Sequence, residues 1–267
     1  MSFLLCRGTN QQEKAMLQLN QPVSKPARHH LHVGLAHSSS EILDAQRLRY
    51  RVFADELGAR LPSKEPGVDQ DYYDQFCEHL VVRDEASQKI IGTYRILSPD
   101  AARRAGSYYS ETEFNLDRLN HLRDRTVEVG RSCIHPDYRT GGTIALLWSG
   151  LVRYMLQNHH EYLIGCASIG MADGGHAATG IYRRMEAHIA PVEYRVFPNC
   201  PLPLDRIEAS KDAECPPLIK GYLRAGAYVC GDPAWDPDFN TADMLMMLPM
   251  SRIDPRYARH FVERQAA

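Results

Sequence analysis

The sequence predicts an α/β (α+β) domain with a mixed, mostly antiparallel central sheet that is flanked by helices. Three observations lead to this prediction. Residues 41–57 carry an apolar stripe at helical spacing. Two apolar segments, residues 79–84 and 89–97, follow with a short polar turn between them, which is typical of a hairpin. Strand and helix patterns then alternate along the second half of the chain.

The other elements follow from the same periodicities. Residues 162–169 are apolar at nearly every position, which indicates a central strand that is covered on both faces. Further strands are predicted at residues 30–36, 126–134, 193–197 and 244–249, and helices at residues 116–122, 143–158, 177–187 and 217–225. Residues 1–28 are polar and irregular, so we expect a loose N-terminal arm before a single domain over residues 29–267.

Composition excludes several classes of protein. A net charge of −2 argues against a nucleic-acid partner, which usually meets a basic surface. The seven cysteines form no CxxC pair and the histidines form no ligand set, so no metal site is expected. The sequence shows neither a secretory signal nor an apolar run of about 20 residues. We therefore expect a cytoplasmic protein with reduced thiols.

Two charged residues stand in the otherwise apolar strand at residues 126–134. Glu128 and Arg131 would point to opposite faces of a regular strand. A bulge at Gly130 would bring them to the same face, and glycine in a strand often marks a bulge. Buried charges are rare unless they are paired or functional. The pair is thus either a structural ion pair or a catalytic pair, and we take Glu128 and Arg131 as the catalytic candidates.

Other charges also occupy unusual positions. Arg49 lies in the apolar stripe of the first helix, and Arg95 lies within an apolar strand. Asp69, Asp71 and Asp74 cluster in the loop before the hairpin. Such carboxylates either bind a cation or stabilise turns.

A glycine-rich turn connects the strand at residues 126–134 to the next helix. Arg139, Gly141, Gly142 and Thr143 lie in this turn. Free backbone N–H groups at a helix start bind phosphate, and an arginine adds a charge-assisted contact. The alternative is a tight turn in which glycine only supplies backbone freedom.

The stretch from Glu128 to Trp148 resembles the bacterial ornithine N-α-acyltransferases of ornithine-lipid synthesis. Further matching segments are residues 47–53, 71–80, 91–97, 217–227 and 236–243. The resemblance spans roughly residues 30–262 and implies a GNAT-like fold. It also implies a 3-hydroxyacyl group on acyl carrier protein as donor, L-ornithine as acceptor and lyso-ornithine lipid as product.

A second resemblance concerns the polar residues. The arrangement of Arg49, Phe53, Asp71, Asp74, Arg95, Glu128 and Arg131 is similar to that in acyl-homoserine lactone synthases. GNAT enzymes bind pyrophosphate with an R/Q-x-x-G-x-G/A loop. Here Arg139 and Gly142 match, but Ile144 replaces the last small residue. The likeness therefore favours phosphopantetheine, which carries one phosphate, over coenzyme A as the group that this loop binds.

These expectations assign roles. Glu128 would act as general base on the acceptor amine, directly or through a water. Asp71 and Asp74 would hold the δ-ammonium group of ornithine. Arg95 or Arg49 would take the α-carboxylate, or would instead pair with those acids. No cofactor is required, because acyl-phosphopantetheine is itself a substrate.

Four arginines are candidates for a surface that binds the carrier protein. Acyl carrier protein is acidic and needs a basic patch, and the candidates are Arg103, Arg104, Arg183 and Arg184. The apolar product suggests peripheral contact with the inner membrane. One rival is an acyl-homoserine-lactone-like or other N-acyl amino acid synthase. The other is a non-catalytic module that binds acyl carrier protein.

Overall fold

The computed structural model describes residues 30–61 and 63–253 of the chain. The predicted arm, residues 1–28, lies outside the described residues and stays a prediction. The strands are β1 (Leu31–Leu35), β2 (Glu78–Asp84), β3 (Ile90–Leu97), β4 (Phe114–Asn115), β5 (Thr126–Ile134), β6 (Tyr162–Gly170), β7 (Phe197–Pro198), β8 (Tyr228–Val229), β9 (Ala234–Asp236) and β10 (Thr241–Pro249). The α-helices are α1 (Ser39–Tyr50), α2 (Pro99–Ala105), α3 (Gly141–Gln157), α4 (His176–Arg183) and α5 (Pro217–Ala225).

The central sheet has eight strands in the order β1-β2-β3-β5-β6-β10-β8, with β9 paired to β10. Every neighbouring pair is antiparallel except β5 and β6, which are parallel. Helices α1 and α3 contact the strands from β1 to β5, while α4 contacts β6 and α5 contacts β10. The predicted mixed, mostly antiparallel sheet is therefore confirmed.

Helix α1 begins at a capping serine and continues into a wider helical turn. The side chain of Ser38 accepts a hydrogen bond from the N–H of Glu41 and caps the helix. The Glu41 carboxylate bonds the N–H of His37 rather than that of Ser38, so the capping box is not reciprocal. The α-helix ends at Tyr50, and a π-helical turn over Arg51–Glu56 completes the predicted segment.

Two differences from the prediction have local causes. The predicted strand at residues 193–197 is wrong, because Val192–Tyr194 is a 3₁₀ turn and only Phe197–Pro198 pairs in a strand. Prolines at 191 and 198 flank this segment and remove backbone donors. Helix α2 was not predicted, although Ser98 as N-cap and Pro99 in the first turn are both ordinary start signals.

Strands β5 and β6 separate after a short parallel pairing. Their register joins Thr126–Glu128 only to Tyr162–Ile164, yet each strand continues for six more residues, to Ile134 and to Gly170. On its other side β5 stays paired with β3, and β6 stays paired with β10. The separation therefore opens a cleft in the middle of the sheet, beginning just beyond Glu128.

Candidate active site

A β-bulge lies on the edge of the cleft. The pairing of β5 with β3 joins Thr93 to Cys133 and Arg95 to Gly130, so one extra residue is inserted in β5. Arg131 adopts the left-handed region, with φ of 51°, which is costly for a residue with a side chain. The bulge turns Arg131 towards the same cavity that Glu128 lines. The bulge predicted near Gly130 is thus confirmed.

The cleft contains a cavity of about 250 Å³. Four of the predicted site residues line it: Phe53, Arg95, Glu128 and Arg131. Aromatic and polar side chains complete the lining, among them Tyr94, Tyr109, Ser132, Cys166, Ser168, Tyr222, Asp236, Phe239 and Asp243. The arrangement is typical of a ligand site, with an apolar body and a few converging polar groups.

Glu128 is buried at the start of the cleft and is held by one short segment. Its Oε1 accepts the Ser110 N–H at 2.7 Å and the Ser110 hydroxyl, and its Oε2 accepts the Tyr109 N–H at 2.6 Å. Burial raises the pKa of Glu128, while these hydrogen bonds and the charge of Arg95 oppose the rise. Because a carboxylate offers about four lone pairs, Oε2 retains acceptor capacity for a ligand proton. Glu128 does not form an ion pair with Arg131 within the described residues.

Arg49 anchors a buried ion-pair network. The side chain has no exposed surface. Its Nε lies 2.7 Å from Asp69 Oδ2, and its two terminal nitrogens lie 2.6 and 3.0 Å from the oxygens of Asp74. Burial opposes charge on Asp74, but the hydrogen bonds and charge of Arg49 and then the charge of Arg95 hold the pKa of Asp74 well below its usual value. Arg49 and Asp74 therefore act on each other and do not line the cavity.

Arg95 and Arg131 extend this network towards the cleft. Arg95 Nη1 lies 2.6 Å from Asp71 Oδ1 and 3.0 Å from Asp74 Oδ2. Arg131 Nη2 lies 3.1 Å from Asp71 Oδ2, and Arg131 Nε lies 3.3 Å from Asp69 Oδ2. Three arginines thus balance three aspartates. This network disfavours the predicted contact of Asp71 and Asp74 with an acceptor ammonium, because both carboxylates already bind guanidinium groups.

Aromatic rings fix the Arg131 side chain against the cavity. Its guanidinium carbon lies 4.6 Å from the Phe239 ring centroid and 5.0 Å from that of Tyr109. Phe239 in turn meets Phe53 edge-on at 5.8 Å. The predicted residue Phe53 therefore shapes the cavity wall through its contact with Phe239.

The glycine-rich turn lies at the N-terminus of α3, after the cleft. Thr140 is the N-cap, and its side chain accepts a hydrogen bond from the Thr143 N–H. Thr143 itself is buried. A Cβ added to Gly141 would meet nothing within 4 Å. Arg139 holds Glu56 through two nitrogens, one contact being 2.6 Å. The turn offers open space above a helix start, but its arginine is already paired.

A group of acidic residues that was not predicted as part of the site lies on the opposite side of the cleft. Asp236 and Asp243 line the cavity, and Glu113 lies close to Asp243. The sequence did point to the two aspartates, since both lie in residues 236–243, one of the segments that carry the family resemblance. Glu113 gave no signal, because it belongs to an irregular connection before β4.

Comparison with known proteins places this site in a family. Over 251 residues the chain is 37% identical to the L-ornithine N(alpha)-acyltransferase of Rhizobium meliloti (strain 1021), covering 86% of this chain and 84% of that protein. It is 36% identical over 249 residues to the L-ornithine N(alpha)-acyltransferase of Brucella abortus (strain 2308), covering 86% and 88%. The chain belongs to the L-ornithine N(alpha)-acyltransferase family. The family resemblance stated from the motifs is confirmed, and the chain is an acyltransferase.

A domain model described as an acetyltransferase (GNAT) domain matches residues 48–149. Among solved structures, the CoA-dependent acyl-homoserine lactone synthase BjaI superposes with a TM-score of 0.54 at 13% identity, covering 89% of this chain and 90% of that one. The N-acyl amino acid synthase FeeM, from uncultured soil microbes, superposes with a TM-score of 0.50 at 12% identity, covering 91% and 100%. These structures confirm the GNAT-like fold that this family member was expected to have.

Among the described residues, no helix is both long enough and apolar enough to cross a membrane. The candidate basic patch is partly committed to internal contacts. Arg183 donates to the Leu204 carbonyl at 3.0 Å, and Arg184 donates to the Ser210 carbonyl at 3.2 Å. Arg103 contacts Asp100 and lies 3.7 Å from Asp124.

Proposed function

We propose that the protein transfers a 3-hydroxyacyl chain from acyl carrier protein to the α-amine of L-ornithine, with lyso-ornithine lipid as product. One observation carries the proposal. In a chain of this family, the gap between β5 and β6 begins at a buried carboxylate, Glu128, and the bulged Arg131 lines the same cavity. A thioester arm that enters the cleft would then bring its carbonyl close to a base and a guanidinium group.

The reaction follows from the groups that line the cavity. The acceptor amine, after loss of a proton, attacks the thioester carbonyl, and the carbon–sulfur bond breaks. Glu128 takes the proton that the ammonium loses before attack, directly or through a water. The phosphopantetheine thiolate leaves with the electrons of the broken bond and takes the second nitrogen proton, which is lost as the amide forms. Burial favours this role, because it raises the pKa of Glu128 towards the range in which a carboxylate is an effective base. No metal and no further cofactor enters this scheme.

Backbone groups of β5 would stabilise the oxyanion. The edge of β5 that faces β6 has no registered strand partner after Glu128, so its N–H groups on that side face the cleft. The His135 N–H is not one of them, because it bonds the Ile91 carbonyl at 2.8 Å. The donor is therefore expected between the bulge and Ile134.

The glycine-rich turn would receive the phosphate of phosphopantetheine. Its support is the N-terminus of α3, with open space above Gly141. Arg139 would have to exchange Glu56 for the phosphate, an exchange that is feasible because the pair is exposed. The acyl carrier protein would dock at this mouth of the cleft, and the apolar product would leave towards the inner-membrane surface.

The test lets several acceptors compete in one reaction and compares two acyl donors. Purified protein is incubated with 3-hydroxyacyl carrier protein, or with the same acyl group on coenzyme A, and an equimolar mixture of amino acids and S-adenosylmethionine. Mass spectrometry should find Nα-acyl-ornithine as the main product, formed faster from the carrier protein. An acyl-homoserine lactone or another acyl-amino acid as main product would support the rival synthase. Intact donor with no product, despite measurable carrier binding, would support the non-catalytic module.

A further inference from the structure

The half-buried Glu113 and the buried Asp243 form an acidic pair that the proposed mechanism does not use. Side-chain ligand atoms of Glu113, Asp243 and Cys166 all lie within 4.8 Å of one another. Asp243 is 4% exposed and faces the cavity. In the register of the sheet it lies opposite Ser168, which also lines the cavity, as does Cys166 two residues earlier on β6. Asp243 therefore lines the same cleft as Glu128, and Glu113 lies next to it outside the cavity lining.

This pair differs from the buried acids Asp69 and Asp74 in having no ion-pair partner among the described residues. In the part of the chain that the structure describes, Glu113 Oε1, Glu113 Oε2 and Asp243 Oδ1 are buried and have no hydrogen-bond partner. Asp69, Asp71 and Asp74, by contrast, all hold arginines. A buried carboxylate without a partner is costly unless it is protonated or meets a cation.

The electrostatics agree with that interpretation. Burial, followed by the charge of Asp243, raises the pKa of Glu113. Burial likewise raises the pKa of Asp243, although the hydroxyls of Thr241 and Ser168 oppose the rise. Without a ligand, the pair is thus expected to hold a proton. A cation that enters would replace this proton and restore both carboxylates to their charged form.

We propose that Glu113 and Asp243 bind the side-chain ammonium group of the acceptor, and so select a diamino acid over amino acids with apolar side chains. This rests on the proposed function. An ammonium group has three N–H donors, which the carboxylates of Asp243 at the cavity and of Glu113 beside it would accept once the shared proton is displaced. Arg131, on β5 across the cleft, is then the natural contact for the acceptor carboxylate. The acceptor would lie between the two, which leaves its α-amine for Glu128.

A divalent metal ion is the competing occupant, because two carboxylates and a thiol also suit one. Burial and the neighbouring carboxylates raise the pKa of the Cys166 thiol well above its usual value. A metal would have to displace that proton to use the sulfur. An ammonium group needs no deprotonation of Cys166, so the charges of this cluster favour the amine.

The first measurement uses the unaltered protein and two acceptors of the same length. Ornithine and norvaline share the five-carbon chain, but norvaline lacks the side-chain amine. We expect kcat/KM for ornithine to exceed that for norvaline by about 10³-fold or more, since a site built for a polar group rejects the analogue that lacks it. Equal values for the two acceptors would overturn the inference while leaving acyl transfer intact.

The second measurement uses variants. Asp243→Asn and Glu113→Gln should each lower kcat/KM for ornithine by about 10- to 100-fold, mainly through KM, and leave norvaline nearly unchanged. Asp124→Asn is the matched control, because Asp124 is 83% exposed and does not line the cavity. Equal losses for both acceptors, without a fall in melting temperature, would assign the pair a different role and overturn the inference.

Calorimetry without donor separates this inference from the proposed function. Ornithine should bind the full-length protein, and norvaline should bind much more weakly, whether or not any acyl donor is accepted. If no amine is acylated, the proposed function fails, and this binding difference still decides the inference. Stabilisation by Zn²⁺ or Mn²⁺ that Asp243→Asn abolishes, together with loss of acylation on chelation, would overturn it in favour of a metal site.

Discussion

The carbonyl oxygen of Val129 lies only 2.3 Å from the position that a Cβ on Gly165 would take. This close approach occurs one residue beyond the last parallel pair, Glu128 with Ile164. Glycine at 165 thus allows the two strands to touch at the point from which they separate. The position of the cleft depends on this contact.

We predict that Gly165→Ala destabilises the protein by about 1–3 kcal/mol, because the added methyl group collides with backbone that cannot move freely. Urea unfolding measures the change. Gly170→Ala is the matched control on the same strand, since a Cβ there meets nothing within 4 Å. Equal stability of the two variants would contradict the close approach.

Glu128→Gln should lower kcat by about 10²-fold or more, because the amide cannot accept the proton of the acceptor amine. The variant is isosteric, so the melting temperature checks that the hydrogen bonds from Tyr109 and Ser110 still hold the segment. Glu161→Gln serves as control, since its carboxylate is 52% exposed and pairs with Arg125 at the surface. Turnover at the wild-type rate in Glu128→Gln would remove the base from the mechanism.

Asp74→Asn should cost about 3–5 kcal/mol of the free energy of unfolding, because it leaves Arg49 with an uncompensated charge in the interior. The exposed pair of Arg47 and Asp44 gives the contrast. Asp44→Asn should cost less than about 1 kcal/mol. Denaturant unfolding of both variants compares them directly, and similar losses would show that the buried network contributes no more than a surface ion pair.

Glu113→Gln should raise the melting temperature, and by more at pH 8 than at pH 5. The pKa of Glu113 is raised in the folded protein by burial, then by Asp243 and Asp236. When folding raises the pKa of a carboxyl, the free energy of unfolding of the protein falls as pH rises above the pKa of that group in the unfolded chain, about 4.3. The glutamine removes that loss. Thermal unfolding at the two pH values, without acceptor, provides the measurement, and a variant that is less stable at pH 8 would contradict it.

Gly141→Ala should separate ligand binding from stability at the start of α3. The methyl group meets no protein atom, so the free energy of unfolding should stay the same or rise slightly. If phosphate binds above this turn, the same methyl group obstructs it, and KM for the acyl carrier donor should rise about 10-fold or more while KM for the acceptor stays unchanged. An unchanged donor KM would remove this turn from the donor site.

Much of the fold followed from local patterns. The boundaries of β5 and α5 match those predicted, Thr126–Ile134 and Pro217–Ala225. Hydrophobic periodicity and capping residues determine such elements, and both are properties of residues that are close together in the chain. The prediction of a strand at residues 193–197 was wrong because its conformation is not set by local periodicity. Its flanking prolines and its contact with β4 decide it.

The sequence by itself determined the family, the sheet, the bulge and the positions of unusual charges such as Glu128 and Arg131. Only the tertiary structure decided which charges satisfy one another. It joined Arg49 and Arg95 to the acids of the loop between them, and among the described residues it left Asp243, at the cavity, and its neighbour Glu113 without an ion-pair partner. The reason is physical: periodicity is a property of neighbouring residues, whereas burial and pairing depend on residues that are far apart in the chain.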